Sequence, residues 1–443
     1  MGTSAVPEPV RRRGLMLASI STFLAWALEY YDFLIYFSLI PYISELFFPK
    51  SEPMAALLYT LLVFAVGYFA RPLGAIFFGH VGDRYGRRNS LLGDAITMAI
   101  ATIVIALLPT YAQIGIWAPI LLTIFRFIQG FGYGGEAGGG VVWALEFASP
   151  KWRGLVNGVL NSSMSVATLL ATGLLLLVSM YYPLGIIGWR ILFLSGAVVV
   201  IVGLFIRLAA PESILWERKK EEGRLVKVPL ATAIRKYWFS LLLVILINLG
   251  LTFVFYAGYG FVTTFTKLLS SYLPELQKAF VQLTYVPLMI GSLGGIIGNT
   301  FGGYLTDIFG RKKMLIIPTA VLLVLIYPLY LSLTTLSIPI MATSLALIYF
   351  IFTLSATVQT AYFSEIFPTE VRWSGIGFGW NLNAAIGSLS PTFALLIYGY
   401  LMGIHTNPVV SAALAPSIVV MIGAAMTILG ASLGPETVRK QLD

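Results

Sequence analysis

Twelve apolar runs of roughly bilayer length follow one another along the chain, separated by short breaks rich in glycine, proline or charge. In the first half they cover residues 15–41, 54–79, 89–109, 117–147, 154–182 and 189–210. In the second half they cover 238–266, 280–305, 313–335, 338–363, 373–402 and 409–433. About 20 apolar residues cross the hydrocarbon core as a helix, so each run predicts a transmembrane helix. The expected fold is an all-α membrane protein, twelve transmembrane helices in two six-helix bundles. One long polar stretch, Pro211 to Lys236 with Glu217-Arg218-Lys219-Lys220-Glu221-Glu222 at its centre, reads as a solvated linker. The expected domains are residues 1–210, a linker over 211–237, and residues 238–443.

The two halves repeat. Gly79-His80-Val81-Gly82-Asp83-Arg84-Tyr85-Gly86-Arg87-Arg88 returns 224 residues later as Gly303-Tyr304-Leu305-Thr306-Asp307-Ile308-Phe309-Gly310-Arg311-Lys312. Pro211-Glu212-Ser213 returns as Pro435-Glu436-Thr437, again 224 residues on. Glu146 to Gly154 matches Glu365 to Gly375 in the same order. The bundles are therefore expected to be parallel copies of one six-helix unit, with both termini on the cytoplasmic side.

Composition agrees with a membrane protein: 58% of residues are hydrophobic and 11% charged, against about 25% charged in soluble domains. The net charge of +9 would suggest nucleic acid in a soluble chain. Here most Lys and Arg fall in segments on one face of the bilayer, the positive-inside pattern of cytoplasmic loops. The charge thus reports topology, and no nucleic-acid partner is expected. Arg11-Arg12-Arg13 precedes an apolar run that is too long and too acidic for a cleaved signal, so a retained first helix is expected. The chain has no cysteine, which excludes disulfides and thiolate ligands. With no Ser-His pair, phosphate loop or metal-ligand cluster, no enzyme activity, metal or cofactor is expected. The glycines around 130–140 lie inside a span and suit helix packing, not dinucleotide binding.

Charges inside the spans carry the functional reading. Glu29 and Asp32 are one helical turn apart near mid-membrane depth, and Arg71, Arg126 and Glu136 join them in the first half. The second-half spans hold no charge away from their ends. An ionised group at such depth costs several kcal/mol unless paired, wetted or neutralised. Three carboxylates face two arginines, so desolvation raises one carboxylate until it binds a proton near neutral pH. Asp32, Glu29, Arg126 and Glu136 are the candidates for proton coupling. Arg126, Arg71, Tyr31, Tyr256, Gln359 and Asn381 are the candidates for substrate contact, because arginine grips a carboxylate in bidentate fashion while tyrosine adds hydrogen bonds and an apolar wall. At the cytoplasmic ends, Asp83, Arg84, Arg87, Arg88, Glu146, Arg153 and Glu212 and the repeated set Asp307, Arg311, Glu365, Arg372 and Glu436 offer ion pairs that close that side and break on opening.

The Gly-x-x-x-Asp-Arg-x-Gly-Arg-Arg stretch resembles the signature of the major facilitator superfamily, and the likeness covers essentially the whole chain. More narrowly, Glu29-Tyr-Tyr-Asp32-Phe, Ala70-Arg71-Pro72-Leu73-Gly74, Arg126-Phe-Ile-Gln-Gly130 with Gly134-Gly135-Glu136, and Phe367-Pro-Thr-Glu-Val-Arg372 with Gly379-Trp-Asn-Leu382 resemble the metabolite:proton symporter family. Tyr30 and Glu370 depart from it, where tryptophan and a basic residue are usual. The resemblance implies a central cavity alternately open to either side, and substrates among organic acids, shikimate-like acids and zwitterions such as proline or betaine. Sugar carriers also place an acid in span one and an arginine in span four. Their paired glutamines in span seven are replaced here by Asn248-Leu-Gly-Leu-Thr252. The expected function is proton-coupled import of a small organic acid or zwitterion across the plasma or inner membrane, by a chain working as a monomer. The alternatives are an uncoupled facilitator, a sugar/proton symporter and a proton-antiport drug exporter.

Overall fold

The computed structural model describes residues 8–134 except 86, together with 148, 151–209, 234–368, 371–404 and 407–438. Each apolar run is helical over most of its described residues. The helices are α1 (Glu8–Ser38), α2 (Pro53–Tyr85), α3 (Arg87–Leu107), α4 (Trp117–Tyr133), α5 (Arg153–Tyr181) and α6 (Trp189–Ala209) in the first half. In the second half they are α7 (Trp238–Ser270), α8 (Phe280–Phe309), α9 (Arg311–Ser332), α10 (Ile338–Ile366), α11 (Arg372–Gly387, then Ser390–Gly403) and α12 (Pro408–Leu433). Helices satisfy every backbone polar group internally, which lipid demands. Among the described residues, eight of them (α2, α5 and α7–α12) are by length and composition alone fit to cross a membrane. Their outer faces carry large exposed apolar side chains, such as Ile76, Leu170, Ile297 and Val324, as lipid contact requires.

Contacts obey the repeat. In the first half α1 packs on α5 and α6, α2 on α4, and α3 on α4 and α6; in the second, α7 packs on α11 and α12, α8 on α10, and α9 on α10 and α12. The halves meet along α5 against α8, a broad seam, and along α2 against α11, a narrower one. The broad seam is close because both faces are small: a methyl group at Gly158 would lie 2.4 Å from the Asn299 carbonyl oxygen, and one at Gly303 2.4 Å from that of Gly154.

Two local features shape the helices. α2 continues through Gly79 and Gly82 of the motif to Tyr85. In the repeat, α8 likewise runs to Phe309 and only Gly310 turns, at φ +94°. One left-handed residue suffices, and glycine adopts it at little cost. The second feature is a π turn at Tyr256–Gly260 inside α7. Such a turn adds a residue and leaves carbonyls without their usual partners, and the Tyr330 hydroxyl of α9 donates to those of Ala257 (2.9 Å) and Gly258 (3.0 Å).

Candidate functional site

Arg71 and Arg126 share one pocket. It lies between α2 and α4 and is lined by Gly67, Tyr68, Arg71, Arg126, Gln129, Gly130 and Tyr133. The two backbones touch there, since a methyl group at Gly130 would lie 1.7 Å from the Gly67 carbonyl oxygen. Arg71 stacks on Tyr68 (4.0 Å to the ring centroid) and on Tyr133 (4.5 Å), and Arg126 stacks on Tyr36 (4.0 Å). A desolvated guanidinium over an aromatic face gains about 2 kcal/mol, which offsets part of its burial cost. Arg126 Nη1 donates to Gln129 Oε1 (2.5 Å), whose Nε2 donates to Thr102 Oγ1 (2.7 Å). Arg126 is 4% exposed, and its Nε has no hydrogen-bond partner among the described residues.

Tyr256 of the second half is outside the lining but packs on Tyr68, which is in it. Its ring centroid lies 5.6 Å from that of Tyr68 and 5.8 Å from that of Phe64. Beyond it, toward the end opposite the repeated motif, Phe37 stacks on Tyr256 (6.4 Å) and meets Phe64 edge-on (4.9 Å). Phe37 fits against α7 because Gly260 has no side chain, as a methyl group there would lie 2.7 Å from the ring. Two hydroxyls of the second half donate to the last carbonyls of α1: Thr263 to Phe37 (3.3 Å) and Tyr285 to Ser38 (2.7 Å). Outside these contacts, Lys267 pairs with Glu45 at the exposed rim.

At the motif end the contact is ionic. Asp307 accepts the backbone N–H groups of Gly154 (2.9 Å) and Leu155 (3.0 Å), so a carboxylate of one half caps the N-terminus of α5 in the other. Arg311, 1% exposed, grips Glu365 through Nε (3.3 Å) and Nη2 (3.1 Å), and Asp307 through Nη1 (3.1 Å). Arg153 of the first half approaches the same Glu365 at 3.8 Å. Glu436 accepts the backbone N–H groups of Arg311 (2.8 Å) and Lys312 (3.0 Å), capping α9.

The remaining expected residues divide into three groups. The side chains of Glu29, Asp32, Asp83, Arg84, Arg87, Arg88 and Arg372, and the whole of Glu136, Glu146 and Glu212, lie outside the described residues. Tyr31 does not line the pocket: its hydroxyl is 2.9 Å from Ser195 Oγ of α6. Gln359 and Asn381 are buried at 8% and 3% exposure and also fall outside the pocket lining, each with one side-chain oxygen lacking a hydrogen-bond partner among the described residues. Four residues at the site were not anticipated: Tyr36, Tyr68, Gln129 and Tyr133. Their signal was spacing, since Tyr68 precedes Arg71 by three residues and Gln129 and Tyr133 follow Arg126 by three and seven.

Comparison with known proteins settles the family. The profile of the Major Facilitator Superfamily matches residues 15–391. The chain belongs to that superfamily. It is 33% identical over 395 residues to the inner membrane metabolite transport protein YhjE of Escherichia coli K12, covering 87% of this chain and 88% of that one. It is 31% identical over 394 residues to the shikimate transporter of the same strain, with coverages of 87% and 88%. It is 30% identical over 395 residues to that strain's proline/betaine transporter, with coverages of 86% and 77%. In fold it matches the proton:xylose symporter XylE bound to 6-bromo-6-deoxy-D-glucose, with a TM-score of 0.71, 18% identity and 98% of each chain covered. As a superfamily member the protein is a multi-pass membrane transporter and not an enzyme.

Proposed function

We propose that the protein is a proton-coupled symporter that imports a small metabolite bearing a carboxylate, by alternating access, with the motif end facing the cytoplasm. The observation that carries the substrate class is Arg126, a buried guanidinium in the pocket lining whose Nε–H has no partner among the described residues, beside a second arginine and a tyrosine, Tyr68, that packs on Tyr256 of the opposite half. A carboxylate supplies the acceptor such a group lacks. The relatives support the class, because shikimate, proline and betaine all bear a carboxylate.

Proton coupling rests on the order of charges in the sequence. Asp32 and Glu29 sit one turn apart on α1, and with Glu136 they outnumber the two arginines of the spans. In this reading Asp32 takes the proton, which weakens its hold on an arginine and leaves that cation to the substrate. The contacts at either end are the two gates. At the cytoplasmic side Arg153, Asp307, Arg311, Glu365 and Glu436 act, with Asp83, Arg84, Arg87, Arg88, Glu146, Glu212 and Arg372 as their proposed counterparts. On the outside Phe37, Thr263 and Tyr285 act. A site near the midplane between two repeats that rock is the general design of such carriers.

The test uses proteoliposomes with an imposed pH gradient and labelled shikimate, proline and betaine. The wild type accumulates at least one of them uphill, and Asp32→Asn loses accumulation while keeping exchange. Accumulation that survives dissipation of the gradient, or that persists in Asp32→Asn, refutes the coupling. Uptake of sugars in preference to all three acids refutes the substrate class.

A further inference from the structure

We infer that Thr437, in the segment after α12, is a positioning residue for the cytoplasmic gate. It holds Glu365 in the rotamer that Arg153 of the first half needs. The inference rests on the gate reading above and adds a residue that the ionic set does not contain.

Glu365 is almost fully enclosed, at 1% exposure, and its two oxygens do different work. Oε1 faces Arg311 Nη2 (3.1 Å) and Arg153 Nη1 (3.8 Å). Oε2 receives Arg311 Nε (3.3 Å) and the Thr437 hydroxyl (2.6 Å), the shortest contact of the four. Thr437 is itself 4% exposed, so water is not a ready substitute donor. Without this hydroxyl, Oε2 loses a 2.6 Å bond, shorter than the one from Arg311 Nε, and the carboxylate turns about its terminal torsion, which is broad. Turning moves Oε1, the Glu365 oxygen that Arg153 of the first half approaches.

Thr437 is itself held by the gate. Glu436 accepts the backbone N–H groups of Arg311, Lys312, Thr437 and Val438. Lys312 Nζ donates back to the Ser432 and Gly434 carbonyls at the end of α12 (2.7 and 3.2 Å). Gly310 is pressed on the Glu436 carboxylate, where a methyl group would lie 2.6 Å away. The segment is thus a clamp that joins α12, the α8–α9 turn and α10 into one rigid block. The block presents Asp307 and Glu365 together to α5. Thr437 is its hydrogen bond to α10, beside the packing of Gly434 against Tyr362.

The absence of native cysteine permits a direct test with single-cysteine reporters. Ser162→Cys, buried on α5 two turns from Gly154, reports opening of the cytoplasmic side, and Thr264→Cys on α7 reports opening of the outer side. Each is labelled with maleimide in the full-length protein. Thr437→Val should raise the cytoplasmic rate about fivefold, equivalent to about 1 kcal/mol for one lost hydrogen bond, and lower the outer rate. Thr437→Ser, which keeps the hydroxyl, should match the parent. Equal rates in all three, or a rise at both ends in Thr437→Val, overturn the inference, because general loosening has no direction. Arg153→Ala separates the two levels. If it leaves the cytoplasmic rate unchanged, the gate reading fails; if it raises that rate and Thr437→Val does not, only the role of Thr437 fails.

Discussion

The halves are joined at both ends, but by opposite chemistries. At the motif end a carboxylate from the second half, Asp307, meets backbone N–H groups at the start of α5, and buried Arg311 and Glu365 lie behind it. At the outer end hydroxyls from the second half, Thr263 and Tyr285, meet backbone carbonyls at the finish of α1, and the rings of Phe37, Phe64 and Tyr256 lie behind them. In each case the second half brings the side chain and the first half offers a helix terminus with unsatisfied groups. The difference is in what separation exposes. Parting the motif end hands charges to water, which solvates them well. Parting the outer end exposes aromatic surface, at about 25 cal/mol per Å². The ionic contact is therefore strong when intact and cheap to wet once apart, while the aromatic one resists separation in proportion to area.

The largest effect that would break this contrast is at Glu365. Glu365→Ala leaves Arg311 buried with its main counter-charge removed, and a cost of about 3–5 kcal/mol follows. Thermal unfolding in detergent should show a large loss of stability, with Glu365→Gln intermediate. Tyr285→Phe, which removes one neutral hydrogen bond at the outer end, should cost only about 1 kcal/mol and raise labelling at Thr264→Cys rather than at Ser162→Cys. If the two variants are equally damaging, the ends do not differ in kind. The smallest effect is pH. Burial pushes the Glu436 carboxyl up, but the four backbone N–H groups of Arg311, Val438, Lys312 and Thr437 outweigh it and hold it below the usual carboxylate range. A depressed folded value means stability that is present above the unfolded value and lost as pH falls through the folded one. Acidification through the carboxylate range should therefore lower the unfolding midpoint, and Glu436→Gln should flatten that part of the profile.

Much of the architecture was legible in the chain itself. The twelve runs were long enough that only helices fit them, and the 224-residue offset between Asp83 and Asp307 announced the duplication. The charged residues at the motif end of the second half stood out because each has a counterpart at the matching position of the first. Their chemistry did not. Nothing in the spacing says that Asp307 binds backbone N–H groups of α5, because that contact joins residues about 150 apart. The pocket was half legible: arginines stand out in an apolar run, whereas Tyr36, Tyr68 and Tyr133 are unremarkable among 23 tyrosines until helices α1, α2 and α4 bring them over the guanidiniums. Tyr31 lies outside the pocket lining, its hydroxyl beside Ser195 of α6, because its position in the sequence does not fix the side of α1 on which the ring lies.

The π turn of α7 sets a phase as well as a bend. An α-helix advances about 100° per residue, so deleting its one extra residue would rotate everything beyond Gly260 by more than a quarter of a circle. Thr263 would swing off the end of α1, and the Tyr330 phenol would lose the two carbonyls it now serves. Those two side chains are thus tied to the insertion as a set, and a lineage that straightened this helix would have to replace both of them together.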